Sequence, residues 1–149
     1  MTSLSNHTTL INTLRVHIAP VGFEVDRIVI PALDKKADKV WLVTHDKPHE
    51  DKGYTFADII EKKLKAAHIE CTRSLANKID LFYILRALRS IILQEKGNYI
   101  LLNVSSGSKI QAIASMMACM MFKEQAMIKP YYVVPENIIL TFYKIKSKR

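Results

Sequence analysis

Short runs rich in Val, Ile and Leu alternate along this chain with longer segments whose apolar residues recur every three or four positions. The short runs predict five β-strands and, after the turn-like Pro-Glu-Asn, a sixth, at residues 15–21, 39–45, 69–75, 99–105, 130–135 and 138–145. The longer segments predict helices at residues 24–36, 54–67, 80–96 and 108–126. Such alternation is typical of right-handed crossovers over a parallel sheet. We therefore predict an α/β, Rossmann-like, doubly wound domain, with a mostly parallel sheet of five or six strands and helices on both faces.

The four glycines, Gly22, Gly53, Gly97 and Gly107, all fall at the ends of predicted elements. If the strand order is the doubly wound 3-2-1-4-5, strands 1 and 4 are neighbours, and a crevice forms at their carboxyl ends, where ligands bind in this class of fold. The turn at residues 20–24 then lies beside the turn at residues 105–109. Two glycine-containing turns from distant parts of the sequence are thus expected to face one site.

The second of these turns, Ser105-Ser-Gly-Ser-Lys109, joins a buried-strand pattern to a long apolar helix. The first amides of a helix have no intrahelical partner and the helix dipole is positive there, so an anion is favoured at this point. The sequence is neither a Walker loop nor a GxGxxG fingerprint. A serine-capped helix with an exposed lysine is the alternative interpretation of the same residues.

The composition shows an excess of positive charge. The chain has 149 residues, enough for one domain, and 22 Lys+Arg against 14 Asp+Glu give a net charge of +8, which favours a polyanionic or phosphorylated partner. Four of the positive charges, Lys144, Lys146, Lys148 and Arg149, belong to the end of the chain. We expect a lead-in at residues 1–14, a domain at 15–145 and a basic tail at 146–149.

The two cysteines, Cys71 and Cys119, lie in apolar segments without CxxC spacing, as core thiols of a reducing compartment do. No signal peptide is apparent, and the longest nearly uncharged run, residues 110–122, is too short to cross a bilayer. The sequence therefore predicts a cytoplasmic protein with no membrane association. Neither a cofactor nor a metal is expected; His45 and His49 have HxxxH spacing in a polar loop, but the ligand set is incomplete.

The segments around the two turns resemble the CRISPR-associated Rossmann-fold (CARF) domain. They are His17-Ile-Ala-Pro-Val-Gly-Phe-Glu-Val-Asp-Arg27, Pro31-Ala-Leu, Ala37-Asp-Lys-Val-Trp-Leu-Val and Asn103-Val-Ser-Ser-Gly-Ser-Lys-Ile110. More narrowly, the chain is similar to archaeal CARF regulators that carry a winged helix. The resemblance implies a homodimer that binds a cyclic oligoadenylate, with cyclic tetra-adenylate as the expected ring, in type III CRISPR antiviral signalling. No winged-helix segment follows Arg149, so DNA binding is not supported by this chain.

By position, the resemblance also implies which residues bind the ligand. In the first turn it places Val21, Gly22 and Phe23 near an adenine or ribose, with Glu24 and Arg27 one helical turn further on. The matching residues of the second turn would hold the phosphodiester backbone; they are Asn103, Ser105, Ser106, Gly107, Ser108 and Lys109. Two alternatives stay open: Phe23 as a staple that packs its helix on the sheet, and Arg27 as a partner of Glu24 or Asp26.

Three functions follow from these observations. The first is a cyclic oligoadenylate sensor; the second is a metal-independent ring nuclease, in which Ser105, Ser106 and Lys109 would align attack by the ribose 2′-hydroxyl and stabilise the phosphoryl charge. We expect slow or absent turnover, because only His45 ends a strand where a general base could face the crevice. The third is an orphan α/β nucleotide-binding or interaction domain, since a fold alone does not fix a function.

Two further expectations concern the surface and the cofactor. The predicted helix is apolar around nearly its whole circumference at residues 116–122, so we expect a partner subunit at or beside it. A nicotinamide dehydrogenase is disfavoured, because the first turn has only one of the three glycines that close pyrophosphate approach requires.

Overall fold

The computed structural model describes residues 13–77, 79–134 and 139–141. Along the chain the strands are β1 Arg15–Pro20, β2 Lys39–His45, β3 Glu70–Ala76, β4 Tyr99–Asn103, β5 Met127–Val133 and β6 Ile139–Thr141. The helices are α1 Asp26–Asp34, α2 Tyr54–Ala66, α3 Leu81–Gln94 and α4 Lys109–Phe122, with a short 3-10 helix at Pro48–Glu50. No helix in the described part of the chain is long and apolar enough to cross a membrane.

The sheet has the order β3-β2-β1-β4-β5-β6. The first five strands are parallel, and β6 runs antiparallel to β5. The doubly wound order and the α/β fold class predicted from the sequence are therefore confirmed. Because β1 pairs with both β2 and β4, the order in which strands are added to the sheet reverses between β1 and β4, which is where such sheets leave a crevice.

Element ends differ from the prediction for local reasons. Helix α1 begins at Asp26, two residues later than expected, and ends at Asp34, since Lys36 has a φ of 52°, which a helix does not allow. The sequence prediction started the fifth strand at Pro130. In the structure Pro130 lies inside β5, which begins earlier, at Met127. The predicted sixth strand is present at Ile139–Thr141, and the rest of its predicted range lies outside the described residues.

Two apolar cores cover the two faces of the sheet. Helices α3 and α4 pack on the face that carries Val16 and Ile18 of β1. Helices α1 and α2 pack on the opposite face, against Val40 and Leu42 of β2. Within the described residues, the second core contains no residue of β4 or β5, so these two strands share only the first core.

His17 lies on β1 and is 1% exposed. Its ring sits 5.4 Å from the ring of Tyr131, centroid to centroid, and neither ring nitrogen has a hydrogen-bond partner. Burial, aided by the positive charge of Lys35, lowers the pKa of His17 to about 4. The imidazole is consequently neutral at physiological pH.

This burial predicts an acid sensitivity. An unfolded chain protonates His17 below its ordinary pKa of 6.5, whereas the folded chain resists until about 4, so stability falls as pH drops through this window, by about 3 kcal/mol in total. Chemical unfolding at pH 7 and pH 4.5 should show a smaller acid loss for His17→Phe than for wild type. His49→Phe, at an exposed histidine, should keep the full loss; an equal loss in His17→Phe would contradict the prediction.

Candidate ligand-binding site

The two glycine turns meet at the carboxyl ends of β1 and β4. A Cβ atom placed on Gly22 would lie 3.1 Å from the Cα atom of Gly107. A Cβ atom on Gly107 would collide with Gln111 Oε1 and lie 2.9 Å from Pro20 Cβ, and the φ of Gly107 is +79°. Glycine is therefore required at Gly107 both by the space and by the backbone conformation.

Asn103, the last residue of β4, organises the second turn. Its Oδ1 accepts hydrogen bonds from Ser105 N at 2.9 Å, Ser105 Oγ at 2.7 Å and Ser106 N at 3.1 Å. Its Nδ2 donates to the carbonyl of Arg27 at 2.9 Å. Asn103 is fully buried, so it acts beneath the turn and not in the wall of the crevice.

Arg27 joins α1 to the second turn from the other side. Its Nη1 donates to the carbonyl of Ser105 at 3.3 Å, and its Nε lies 2.6 Å from Glu24 Oε2. Arg27 therefore pairs with Glu24 and also lines the cavity between the two turns. The positive charge at this wall of the crevice is partly compensated by that carboxylate.

Helix α4 opens with the serine cap that the sequence offered as an alternative, and the cap is a full capping box through Gln111, which the sequence interpretation missed. Ser108 is the N-cap, and its Oγ accepts from Gln111 N at 3.3 Å, while Gln111 Oε1 accepts from Ser108 N at 2.8 Å. The Ser-x-x-Gln spacing was the signal that could have revealed it. Two further first-turn amides, those of Lys109 and Ile110, have no intrahelical acceptor and stay available to an anion.

Together the two turns enclose a cavity of about 280 Å³. It is lined by residues of both turns and of α4: Val21, Gly22, Phe23, Glu24, Arg27, Ser105, Ser106, Gly107, Ser108 and Gln111. Two buried polar atoms in this wall, Ser106 Oγ and Gln111 Nε2, have no hydrogen-bond partner. An unmade hydrogen bond of a buried group is costly, and both atoms are closed to solvent, so a ligand in the cavity could pair with them only after a small shift of the wall.

Three predicted site residues differ from the others in their exposure or in the contacts that they already make. Lys109 is exposed at the first residue of α4 and does not line the cavity. Phe23 is 61% exposed and meets Phe56 of α2 edge to face, with ring centroids 5.9 Å apart. Ser105 lines the cavity, but its Oγ donates to Asn103 and accepts from Val133 N at 3.0 Å, so this hydroxyl is already engaged.

The histidine considered as a general base lies apart from the cavity. His45 ends β2, and its Nδ1 lies 2.8 Å from Asp46 Oδ1 and accepts from Lys47 N at 2.8 Å. His45 is not among the residues that line the cavity. Among the residues that the structure describes, no group of three or more His, Cys, Asp or Glu side chains is placed to hold a metal ion.

Comparison with known proteins places this architecture in a family. The family described as "HFX_2341_N:-like, N-terminal" matches residues 15–138. The uncharacterized protein MJ1513 of Methanocaldococcus jannaschii is 36% identical over 128 residues, which are 82% of this chain and 38% of that protein. The chain thus spans little more than a third of this relative.

Solved structures have the same fold at low sequence identity. Can2 from Sulfobacillus thermosulfidooxidans, solved in complex with cyclic tetra-adenylate, superposes on 86% of this chain and 34% of its own, with a TM-score of 0.67 and 18% identity. Csm6 of Enterococcus italicus, bound to cyclic hexa-2'-fluoro-hexa-dAMP, superposes on 87% of this chain and 36% of its own, with a TM-score of 0.68 and 13% identity. These neighbours are CARF-domain proteins. The chain therefore belongs to the "HFX_2341_N:-like, N-terminal" family and has the CARF-like fold that its two turns suggested.

Proposed function

We propose that this domain is a sensor that binds a cyclic oligoadenylate, with cyclic tetra-adenylate as the first ligand to test, as a homodimer in type III CRISPR signalling. The observation that carries the proposal is the cavity at the start of α4, whose wall holds the unpartnered Ser106 Oγ and Gln111 Nε2. These are polar atoms that a phosphodiester oxygen or a ribose hydroxyl can satisfy. Two neighbouring structures, Can2 and Csm6, contain cyclic adenylate ligands and support the same ligand class.

The chemistry of the wall suits a phosphate on one side and a base on the other. The free amides at the α4 N-terminus and the helix dipole favour negative charge. Phe23 lines the cavity with its ring exposed and packs edge to face on the partly buried Phe56, and aromatic rings are the usual partners of unstacked bases. Lys109, outside the cavity, is placed to meet a ligand larger than the cavity itself.

The size of the cavity favours a site shared by two chains. At about 280 Å³ it falls just below the range of about 300–1,000 Å³ typical of complete small-molecule sites. A cyclic oligomer has repeated phosphates, and a two-fold axis would present two equal sets of helix amides and lysines to it. We therefore propose that each chain contributes half of the binding site.

Binding without cleavage is the outcome that the side chains favour. In-line attack by a 2′-hydroxyl needs groups aligned on the phosphorus and on the leaving oxygen, and the Ser105 hydroxyl is already held by Asn103 and Val133. Incubation with cyclic tetra-adenylate followed by chromatography separates the three functions. An intact, retained ring supports a sensor, linear fragments would indicate a ring nuclease, and no interaction would indicate an unrelated α/β domain.

Substitution of Lys109 tests the phosphate assignment. We expect Lys109→Ala to weaken binding of cyclic tetra-adenylate at least about tenfold, because a charge-assisted contact is worth about 1.5–3 kcal/mol and a two-fold site loses two. Calorimetry at matched salt measures this. The control is Lys96→Ala, an exposed lysine just after α3; equal affinity in the two variants would remove Lys109 from the site.

The positive-φ glycines give a matched pair. Gly107 has a φ of +79° and Gly97 a φ of +98°, so valine at either position strains the backbone by about 1–3 kcal/mol, and at Gly107 the added Cβ also meets Gln111 and Pro20 and lowers stability further. Only Gly107→Val should abolish ligand binding, because only Gly107 lines the cavity. Thermal melts and calorimetry on both variants distinguish the effects; a Gly107→Val protein that is folded and binds normally would contradict the site.

A stripe of apolar side chains on α4 is the proposed dimer surface. Ile113, Met116 and Met120 follow one another at helical spacing and are 55%, 39% and 64% exposed, whereas Ala118, Cys119 and Phe122 face the core. The block is therefore not buried all round by this chain alone. Contiguous exposed apolar surface is uncommon on monomers and typical of interfaces.

We expect Met120→Glu to be monomeric by light scattering at micromolar concentration, because a carboxylate buried at the centre of an apolar interface has no partner. Ligand affinity should fall with the loss of the second half-site. Lys62→Glu on exposed α2 should stay dimeric. A wild-type protein that is monomeric with and without ligand would overturn the dimer proposal.

A further inference from the structure

A second and larger cavity opens at the opposite edge of the sheet, where the strands begin. It measures about 840 Å³ and lies among the first residues of β1, β4 and β5 and the end of α1. It exists because α1 and α2 cover only one half of their face of the sheet, and no described residue of β4 or β5 joins their core. Both faces of parallel strands are ordinarily covered, but on this face β4 and β5 are not covered by α1 or α2. We call it the amino-edge cavity.

The walls of the amino-edge cavity have an apolar floor and a cationic rim. Tyr99, Leu101 and Met127 contribute apolar surface. Among the described residues that line the cavity, the rim carries the basic side chains of Arg15, Lys35, Lys36 and Lys123 and the carboxylate of Asp34. The local charge thus selects against cations and favours an anion.

His17 supplies a second, independent indication of a ligand. Its side chain is part of the cavity wall, it is 1% exposed, and both ring nitrogens lack a partner. A neutral imidazole offers one donor and one acceptor, and buried polar groups are nearly always paired. The nitrogens are also closed to solvent, so a bound group must displace a neighbour. Lys35, which is half-buried, lines the same cavity near enough for its charge to act on the ring.

From this cavity, its charge and the unpaired histidine we infer a binding site for an organic anion. The ligand would have a flat apolar body that rests on the strand floor, and a carboxylate, sulfonate or phosphate that meets the lysines at the end of α1. The volume falls within the range of about 300–1,000 Å³ of small-molecule sites. The site lies across the sheet from the two glycine turns and is distinct from the cyclic oligoadenylate site.

A fluorescent aromatic sulfonate, 8-anilinonaphthalene-1-sulfonate, has this chemistry and serves as the probe. Wild type should bind it saturably, and the double variant Lys35→Glu/Lys36→Glu should bind at least tenfold more weakly. The matched control Lys62→Glu/Lys63→Glu places the same charge change on exposed α2 and should leave the affinity unchanged. His17→Phe keeps the ring and removes both nitrogens, and should weaken binding about fivefold, with its fold checked by circular dichroism.

The apolar stripe on α4 could also attract the dye, and Met120→Glu resolves this. Unchanged dye affinity in Met120→Glu, with loss in the Lys35/Lys36 double variant, supports the amino-edge cavity. Loss of dye binding in Met120→Glu, or equal affinity in the two double variants, would overturn the proposal. Cyclic tetra-adenylate affinity measured on Lys35→Glu/Lys36→Glu should stay within twofold of wild type, so the two sites can fail separately.

Discussion

The contact between the backbones at Gly22 and Gly107 is the constraint on which the candidate site depends. A side chain on either residue would enter the space of the other turn or of Gln111. Because the two turns follow neighbouring parallel strands, β1 and β4, this close approach converts two unremarkable loops into one continuous wall. Because neither glycine has a Cβ atom, the start of α4 can lie next to the start of α1.

Side chains then hold this contact in place. Asn103 donates to the carbonyl of Arg27, and Arg27 donates to the carbonyl of Ser105, so α1 and the second turn hold each other through a charged and an amide group. Asn103 also gathers two backbone amides of the second turn. These hydrogen bonds pair most polar groups around the cavity and leave Ser106 Oγ and Gln111 Nε2 without a hydrogen-bond partner. A rigid frame with a few unpaired polar atoms is what preorganised binding requires.

The two edges of the sheet have different chemistry. At the carboxyl edge the cavity lies at the start of α4 and is walled by short polar side chains, so the anion proposed there would be held by geometry more than by net charge. At the amino edge, basic side chains surround an apolar floor and one neutral histidine. The high net charge of the chain therefore does not concentrate at the two-turn cavity, although composition alone would place a phosphate ligand among lysines.

Hydrophobic periodicity and glycine placement in the sequence determined the number and order of the elements, the fold class and the pairing of the two turns, because these depend on local pattern and on the chirality of crossovers. The resemblance to CARF domains named every residue that lines the cavity except Gln111, and it also named Asn103 and Lys109, which do not line it. Gln111 lines the cavity and is held there by the capping box, Asn103 lies beneath the second turn, and Lys109 lies outside the cavity. The amino-edge cavity likewise arises from which strands α1 and α2 happen to cover. Those outcomes are set by hydrogen bonds and packing between residues far apart in the chain, and only the tertiary structure decides them.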